Sequence, residues 1–187
     1  MMIFPRQDVT GGGMMVPVPA LHAVGEAEVA PIIARHAAMR RLCQELEDCA
    51  NRLPDHHVVG HAARLSAELA AHLRACEAMG RAVWCRMFGI DCDHEGSPLS
   101  QRLRHYHTAD TLHAEDLHEA LAQIAARPPG PAQPTELIGY MLRCLFDGCR
   151  RAIDCRESAL LLFGRDRMSR GAAAALAASL GAGHMPA

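Results

Sequence analysis

The sequence predicts an all-α protein that folds as an antiparallel up-down four-helix bundle. Half of its 187 residues are hydrophobic but only 4% are aromatic. Leu, Ala, Met and Cys therefore supply the apolar mass, which is typical of helices rather than sheets. Four long segments also carry apolar residues at every third or fourth position, with helix-breaking sequences between them. The length is sufficient for one domain with its own core.

The first two predicted helices span about residues 28–53 and 57–88, and a Pro-Asp pair at 54–55 separates them. In the first helix the repeating positions are Ile32, His36, Met39, Cys43, Leu46 and Ala50. In the second helix they are Leu65, Leu69, His72, Cys76, Met79, Val83 and Met87. Each pattern predicts one buried face along the helix.

The third and fourth predicted helices span about residues 99–126 and 135–163, and the segment RPPGPAQP breaks the chain between them. Their repeating positions are Leu103, His107, Asp110, Ala114, Leu117, Leu121 and Ile124, followed by Ile138, Leu142, Leu145, Cys149, Ala152, Arg156, Ala159 and Phe163. Helices of about 25 residues are roughly 37 Å long. Four of them bury their apolar faces by packing against one another.

The bundle is therefore predicted to occupy residues 28–164. Residues 1–27 contain Pro and Gly without periodicity, and we interpret them as a flexible N-terminal tail. Residues 165–187 are rich in Ala and Gly and are expected to form a C-terminal tail. Within that tail, the sequence leaves open either a weak helix around residues 172–180 or a disordered segment.

Charge and composition exclude several classes of function. The net charge of −2 favours neither a nucleic acid nor an anionic membrane as partner. No apolar run reaches the roughly 18 residues that span a bilayer, and the N-terminal segment lacks the pattern of a signal peptide. We therefore expect a cytoplasmic protein with reduced thiols. Without a catalytic triad, a phosphate-binding loop or paired carboxylates on a buried face, we expect no enzyme and no catalytic residues.

Three of the four predicted buried faces carry a histidine, namely His36, His72 and His107, and the fourth carries Arg156. A single histidine on an apolar face is more often a hydrogen-bonded core residue than a ligand. Three histidines on separate helices are nevertheless typical of a metal site inside a bundle.

The sequence around these residues resembles the hemerythrin-like (HHE cation-binding) domain family. The similarity lies in RHAAMRRLCQELE around His36, ELAAHLRACE around His72 and QRLRHYHTAD around His107. The last helix, ELIGYMLRCLFDGCRRAIDCRESALLLF, is similar to that of a bacterial subgroup of this family. The resemblance covers about residues 32–163, and it implies an up-down bundle that encloses a two-iron site.

Several ligands that this resemblance implies are replaced. The two bridging carboxylates fall at Cys76 and Arg156, the histidine of the last helix falls at Ala152, and a further ligand falls at Thr111. Three histidines are therefore retained, while both bridges are lost. We interpret this as a degenerate diiron site.

Of these replacements, the one at Arg156 most strongly opposes the binding of two metal ions. Bridging carboxylates offset the repulsion between two metal cations, whereas a guanidinium carries the opposite charge and stays protonated. Glu77 and Glu157 lie one residue beyond the bridging positions, which turns each by about 100° around its helix. An intact diiron centre is therefore not expected.

Two functions are compatible with what remains. In the first, His36, His72, Cys76 and His107 bind one Fe or Zn ion, in a non-catalytic protein that senses metal, O2, NO or redox state. In the second, the bundle is metal-free and serves as a structural or protein-interaction module with an unidentified protein partner or as a homodimer. Arg156 then fills the vacated space and needs a partner carboxylate or a solvent channel.

A third interpretation concerns the thiol of Cys76. Neighbouring histidines and Arg156 are expected to lower its pKa and raise its reactivity. The other cysteines at helical spacing are expected to behave as small core residues, namely Cys43, Cys49, Cys144, Cys149 and Cys155.

Overall fold

A computed structural model of the chain describes residues 23–53, 55–88, 98–126 and 135–183. The elements are α1 (Glu26–Asn51), α2 (His56–Phe88), α3 (Pro98–Ala125), α4 (Thr135–Gly164), a 3-10 turn (Arg165–Arg167) and α5 (Arg170–Gly183). In this part of the chain, regular secondary structure is helical, and one isolated backbone bridge joins Val24 to Met168. The prediction of an all-α protein is confirmed.

The bounds of the four long helices agree with the sequence prediction to within about two residues. Glu28 reaches back to the start of α1, where its Oε2 atom accepts a hydrogen bond from the backbone N–H of Gly25 at 2.8 Å. The predicted N-terminal tail falls almost entirely on residues 1–22, which lie outside the described ranges. The breaks at 89–97 and 127–134 also lie outside them.

The long helices pack as a ring of neighbours. Helix α1 packs against α2 and α4, and α3 packs against the same two helices. The largest fully buried side chains of the core between them are Met39, Leu46, Leu69, Leu73, Leu117, Leu121, Leu142, Leu145 and Ile153. The described chain is thus a helical bundle with one main core. None of its described helices combines the length and apolarity needed to cross a bilayer.

Most of the predicted buried faces are confirmed, with two corrections. On α2, Leu73 is fully buried at 0% exposure, whereas His72 is 25% exposed and lies at the edge of the buried face. On α4, Phe163 is 57% exposed, and Leu160 is buried in its place. Both corrections reflect the 100° turn per residue, because a shift by one or three positions moves a side chain across the boundary of the face.

Residues 165–183 pack on the bundle instead of forming a tail. Helix α5 contacts α1 and α4. Its buried residues Ala172 and Leu176 join Val29, Met87 and Leu160 in a second apolar cluster at one end of the bundle. Backbone hydrogen bonds tie the segment that precedes α5 to the start of α1, from Val24 N to Arg167 O and from Ser169 N to Val24 O. Of the two alternatives for this segment, the structure has the helix.

Candidate functional site

A buried carboxylate, Glu157 of α4, occupies the interior next to α1. It is 0% exposed, and its Oε1 atom lies 2.7 Å from His36 Nδ1. Arg40 donates to Oε1 at 3.3 Å and to Oε2 at 3.1 Å. Burial alone would raise the pKa of Glu157, but the hydrogen bonds from His36 and Arg40 outweigh burial and hold the pKa below its ordinary value. Glu157 is therefore an ionised, paired carboxylate.

Arg40 and Ser179 extend this network to α5. Arg40 NH2 donates to Asp154 Oδ1 at 2.9 Å, and NH1 donates to Ser179 Oγ at 3.3 Å. The Ser179 hydroxyl donates to Glu157 Oε1 at 2.9 Å. Because Arg40 lies on α1, Asp154 and Glu157 on α4, and Ser179 on α5, one hydrogen-bonded group holds three helices together. This explains in part why α5 packs against the bundle.

The other candidate histidines lie against different protein groups. His107 Nε2 lies 3.1 Å from Glu77 Oε2. His72 Nδ1 accepts from Arg35 NH1 at 3.3 Å, since a guanidinium is a donor only. The Nε2 atom of His72 lies 4.0 Å from the exposed carboxylate of Glu68. His72 therefore faces the edge of the bundle, and His107 is held by the carboxylate one residue beyond a bridging position.

The thiol of Cys76 contacts Met39 in the interior, with Sγ 3.4 Å from Sδ. Burial raises the pKa of the Cys76 thiol, and the nearby guanidinium groups of Arg156 and Arg35 offset only part of this effect. The expectation of a lowered pKa at Cys76 is wrong, because the loss of hydration outweighs the attraction of the two cations.

Arg156 keeps its charged end inside the protein. Its NH1 and NH2 atoms are buried and have no hydrogen-bond partner among the described residues. The pKa values of Cys76, Asp110 and Cys149 are each influenced by its charge, so the guanidinium lies among these three side chains. Asp154 accepts a hydrogen bond from Arg40, and Glu77 lies within ion-pair distance of His107.

Asp110 of α3 is the carboxylate that faces Arg156. It is 5% exposed, and its Oδ2 atom is buried without a hydrogen-bond partner in the described structure. Burial raises the pKa of Asp110 to about 6, and Arg156, His113 and Arg151 offset part of this rise. The carboxylate also lies close to Gly148, where a Cβ atom would stand 2.9 Å from Asp110 Oδ1.

The remaining two altered positions carry groups without metal-binding capacity in this arrangement. Ala152 is 2% exposed and places only a methyl group in the interior. The hydroxyl of Thr111 donates to the backbone carbonyl of His107 at 2.9 Å. Thr111 is thus bonded to its own helix.

The four predicted metal ligands are not brought together. Among residues 23–53, 55–88, 98–126 and 135–183, the structure contains no group of three or more His, Cys, Asp or Glu side chains with the spacing of a metal site. His36 and His107 bond to separate carboxylates, His72 bonds to Arg35, and Cys76 contacts Met39. Binding of one Fe or Zn ion at these residues stays a prediction.

Sequence reasoning missed three residues that dominate the interior electrostatics. Arg40 lies four residues after His36, and positions i and i+4 share a helix face. The sequence spacing therefore indicates that Arg40 lies beside His36. The periodicity of α3 predicts that Asp110 is buried but indicates no role for it. The resemblance places Glu157 one residue beyond a bridging position and does not indicate its complete burial, which requires partners for a carboxylate.

Comparisons with known proteins add no relative. No family model matches the chain, and neither the curated proteins nor the solved structures contain a significant match. The interpretation of the interior therefore depends on its own residues.

Proposed function

We propose that this chain is a non-catalytic, hemerythrin-like antiparallel up-down four-helix bundle whose two-metal centre has been replaced by paired protein side chains. It then acts as a structural or protein-interaction module. The ring of packed neighbours from α1 to α4 supports the up-down course. The resemblance around His36, His72 and His107 supports the family assignment.

The observation that carries the proposal is the position of Arg156. Its terminal nitrogens are buried at the level of the interior where the resemblance implies a bridging carboxylate. The charges of Arg156 and Arg35 both act on the pKa of the Cys76 thiol, so two guanidinium groups lie near the predicted metal site. The buried charge of Arg156, with that of Arg35 nearby, opposes the binding of further cations.

The hydrogen bonds of the former ligands support the same proposal. His36 and Arg40 neutralise the charge of Glu157, and His107 pairs with Glu77. A buried charge is tolerated when it is paired and hydrogen-bonded. Protein side chains alone therefore balance the negative charge of these carboxylates, which metal ions would balance in an intact centre.

An elemental analysis tests this proposal. The full chain is purified without chelator, incubated separately with Fe²⁺ and Zn²⁺ under anaerobic conditions, desalted and measured by mass spectrometry. We expect less than about a tenth of an equivalent of either metal per chain. About two equivalents of iron would contradict the proposal, because the pair site would then be functional.

A protein that binds one metal ion and senses metal, O2, NO or redox state is the second candidate, and one observation favours it. The bond of His36 Nδ1 to Glu157 leaves the Nε2 atom available, and metal-binding histidines commonly hold a carboxylate in this way. About one equivalent of Zn²⁺ or Fe²⁺ that is lost in Cys76→Ser, but retained in Cys144→Ser, would establish this function instead.

The interaction role predicts a partner-binding surface. The large exposed apolar side chains of α4 are Leu137 and Tyr140 near its start and Leu162 and Phe163 near its end. The two pairs are about 33 Å apart along the helix axis. They therefore form two small sites rather than one continuous apolar patch, and light scattering of the purified chain tests whether either pair supports a homodimer.

A further inference from the structure

We propose that Arg156 and Asp110 bind a small oxyanion that carries a hydrogen, of the bicarbonate class, in the interior of the bundle. The inference rests on the proposed function in one respect, namely that no metal cation occupies the centre. It adds a ligand to that centre, with the guanidinium as the donor and the carboxylate as the acceptor.

The donors of this site are buried guanidinium nitrogens without partners. Both terminal nitrogens of Arg156 are in this state among the described residues, and so is the Nε atom of Arg35. A buried guanidinium that lacks hydrogen bonds is strongly unfavourable, whereas its planar fork fits two oxygens of a carboxylate-like anion. The unused donors of Arg156 therefore match a small oxyanion.

The acceptor is Asp110, which selects for a ligand that carries its own hydrogen. Its Oδ2 atom is buried and unpartnered, and the residue is 5% exposed. Asp110 lies within electrostatic reach of Arg156 without forming a hydrogen bond or ion pair with it. The charge of this carboxylate repels any anion, so a ligand here must offset the repulsion by donating a hydrogen bond to Asp110. Bicarbonate offers two oxygens to Arg156 and one O–H group to Asp110, whereas nitrate has no hydrogen to donate.

The residues of α4 that precede Arg156 on the same face are small. Gly148, Ala152 and Arg156 follow one another at intervals of four residues on the same face, so the first and last are about 12 Å apart along the axis. The carboxylate of Asp110 lies against Gly148. Helical side chains lean toward the N-terminus, which directs Arg156 over Ala152 toward Asp110. On this face of α4, the residue between Gly148 and Arg156 is Ala152, whose side chain is a single methyl group.

Thermal unfolding of the full chain tests the site. The protein is treated with chelator, its metal content is verified on the same sample, and the Tm is measured at pH 8 and constant ionic strength in sodium bicarbonate, nitrate or chloride. Bicarbonate is expected to raise the Tm in a saturable manner, by about 3 °C at ten times its Kd. Nitrate and chloride are expected to have no saturable effect, because neither carries a hydrogen for Asp110.

Three variants assign the effect to the site. Arg156→Gln is expected to lose the bicarbonate response, and the exposed control Arg74→Gln is expected to keep it. Asp110→Asn is expected to transfer the response to nitrate, because the amide supplies the missing donor hydrogen. Asp110→Asn tests the proposal even if Arg156→Gln fails to fold.

The outcomes separate this proposal from the proposed function. A metal-free sample without a saturable bicarbonate response contradicts the oxyanion site alone. A response that survives in both Arg156→Gln and Asp110→Asn also overturns the site, because binding then occurs elsewhere. A stoichiometric metal that remains after chelator treatment contradicts the proposed function, whatever the response to bicarbonate.

Discussion

His36 Nδ1 and Glu157 Oε1 lie 2.7 Å apart in the interior, although the two residues are 121 positions apart in the chain. An ionised carboxylate cannot donate, so the proton of this hydrogen bond belongs to His36. Arg40, one turn beyond His36 on α1, adds two further bonds to the same carboxylate. The relationship fixes α1 against α4 at one height, because a shift of either helix would leave Glu157 charged and unpaired.

The first prediction concerns the charge of Glu157. Replacement by Gln keeps the size of the side chain but removes the anion that both Arg40 and His36 contact. We expect Glu157→Gln to reduce the free energy of unfolding by about 3–5 kcal/mol, as for other buried ion pairs that lose one partner. Urea unfolding followed by circular dichroism measures the change.

A matched control is the exposed ion pair between Glu115 and Arg74, whose nitrogen and oxygen lie 3.1 Å apart. Both side chains are more than half exposed. Glu115→Gln is therefore expected to change the free energy of unfolding by less than about 1 kcal/mol. If Glu157→Gln has no larger effect than Glu115→Gln, the buried network does not stabilise the fold.

The fold was largely predictable from the sequence, because its signals are local. Periodic apolar residues fixed the four long helices and placed His36 and His107 in the interior, at 2% and 6% exposure. The edge position of His72 was not predictable in the same way. A buried face has a finite width, and packing against α1 decides which of His72 and Leu73 lies at its centre.

The partners of the polar residues could not be predicted, because they depend on contacts between distant helices. The pairing of Glu157 with His36, and of Ser179 with Arg40, becomes apparent only when the relative heights of α1, α4 and α5 are known. The docking of α5 was also ambiguous, since an Ala- and Gly-rich segment carries little amphipathic pattern. Composition alone does not distinguish such a helix from a linker.

The second prediction concerns the pH dependence of stability at Asp110. Its pKa in the folded state is about 6, above the ordinary value of 3.8. Its contribution to stability is therefore fully present below the ordinary value and is lost as the pH rises through about 6. Replacement by a neutral isostere removes this loss. We expect Asp110→Asn to be more stable than the natural chain at pH 8, by about 1–3 kcal/mol, and this difference to fall to about a third of that amount at pH 4.5.

Neighbouring charges define the control for this measurement. The groups whose charges act on Asp110 are Arg156, His113 and Arg151, and Asp110 in turn raises the pKa of Cys149. Glu157 changes stability in the opposite sense, because its lowered pKa makes its contribution fall on acidification. The free energy of unfolding of Asp110→Asn is therefore compared with that of the natural chain at the same pH, so that the contribution of Glu157 is common to both. The exposed Asp116→Asn on the same helix should give no pH-dependent difference, and an equal effect of both substitutions would contradict the assignment to Asp110.

The third prediction concerns thiol reactivity. Cys76 is 7% exposed and burial raises its pKa, whereas Cys144 is only partly buried. Because the thiolate is the reactive form and requires access, we expect iodoacetamide to label Cys76 at least about tenfold more slowly than Cys144 in the folded protein at pH 7.5. Peptide mass spectrometry measures both rates. In urea the two rates should become similar, and faster labelling of Cys76 in the folded state would contradict its buried, neutral character.

The fourth prediction tests whether the resemblance extends to the interior. The triple variant Cys76→Glu, Ala152→His and Arg156→Glu supplies both bridging carboxylates and the missing histidine beside His36, His72 and His107. The bond between His36 and Glu157 remains and orients His36 for a metal. We expect this variant to bind about two iron ions per chain, measured by mass spectrometry after anaerobic reconstitution.

A second triple variant provides the control for iron binding. It carries Cys76→Glu, Ala152→His and Arg151→Glu, so its composition and net charge are the same but the guanidinium of Arg156 stays in the interior. Arg151 is exposed on α4, so its replacement leaves the core intact. This control should bind little iron, because the positive charge still opposes a cation pair. If both variants are helical and bind equally little iron, the similarity in sequence does not extend to the geometry of a metal centre.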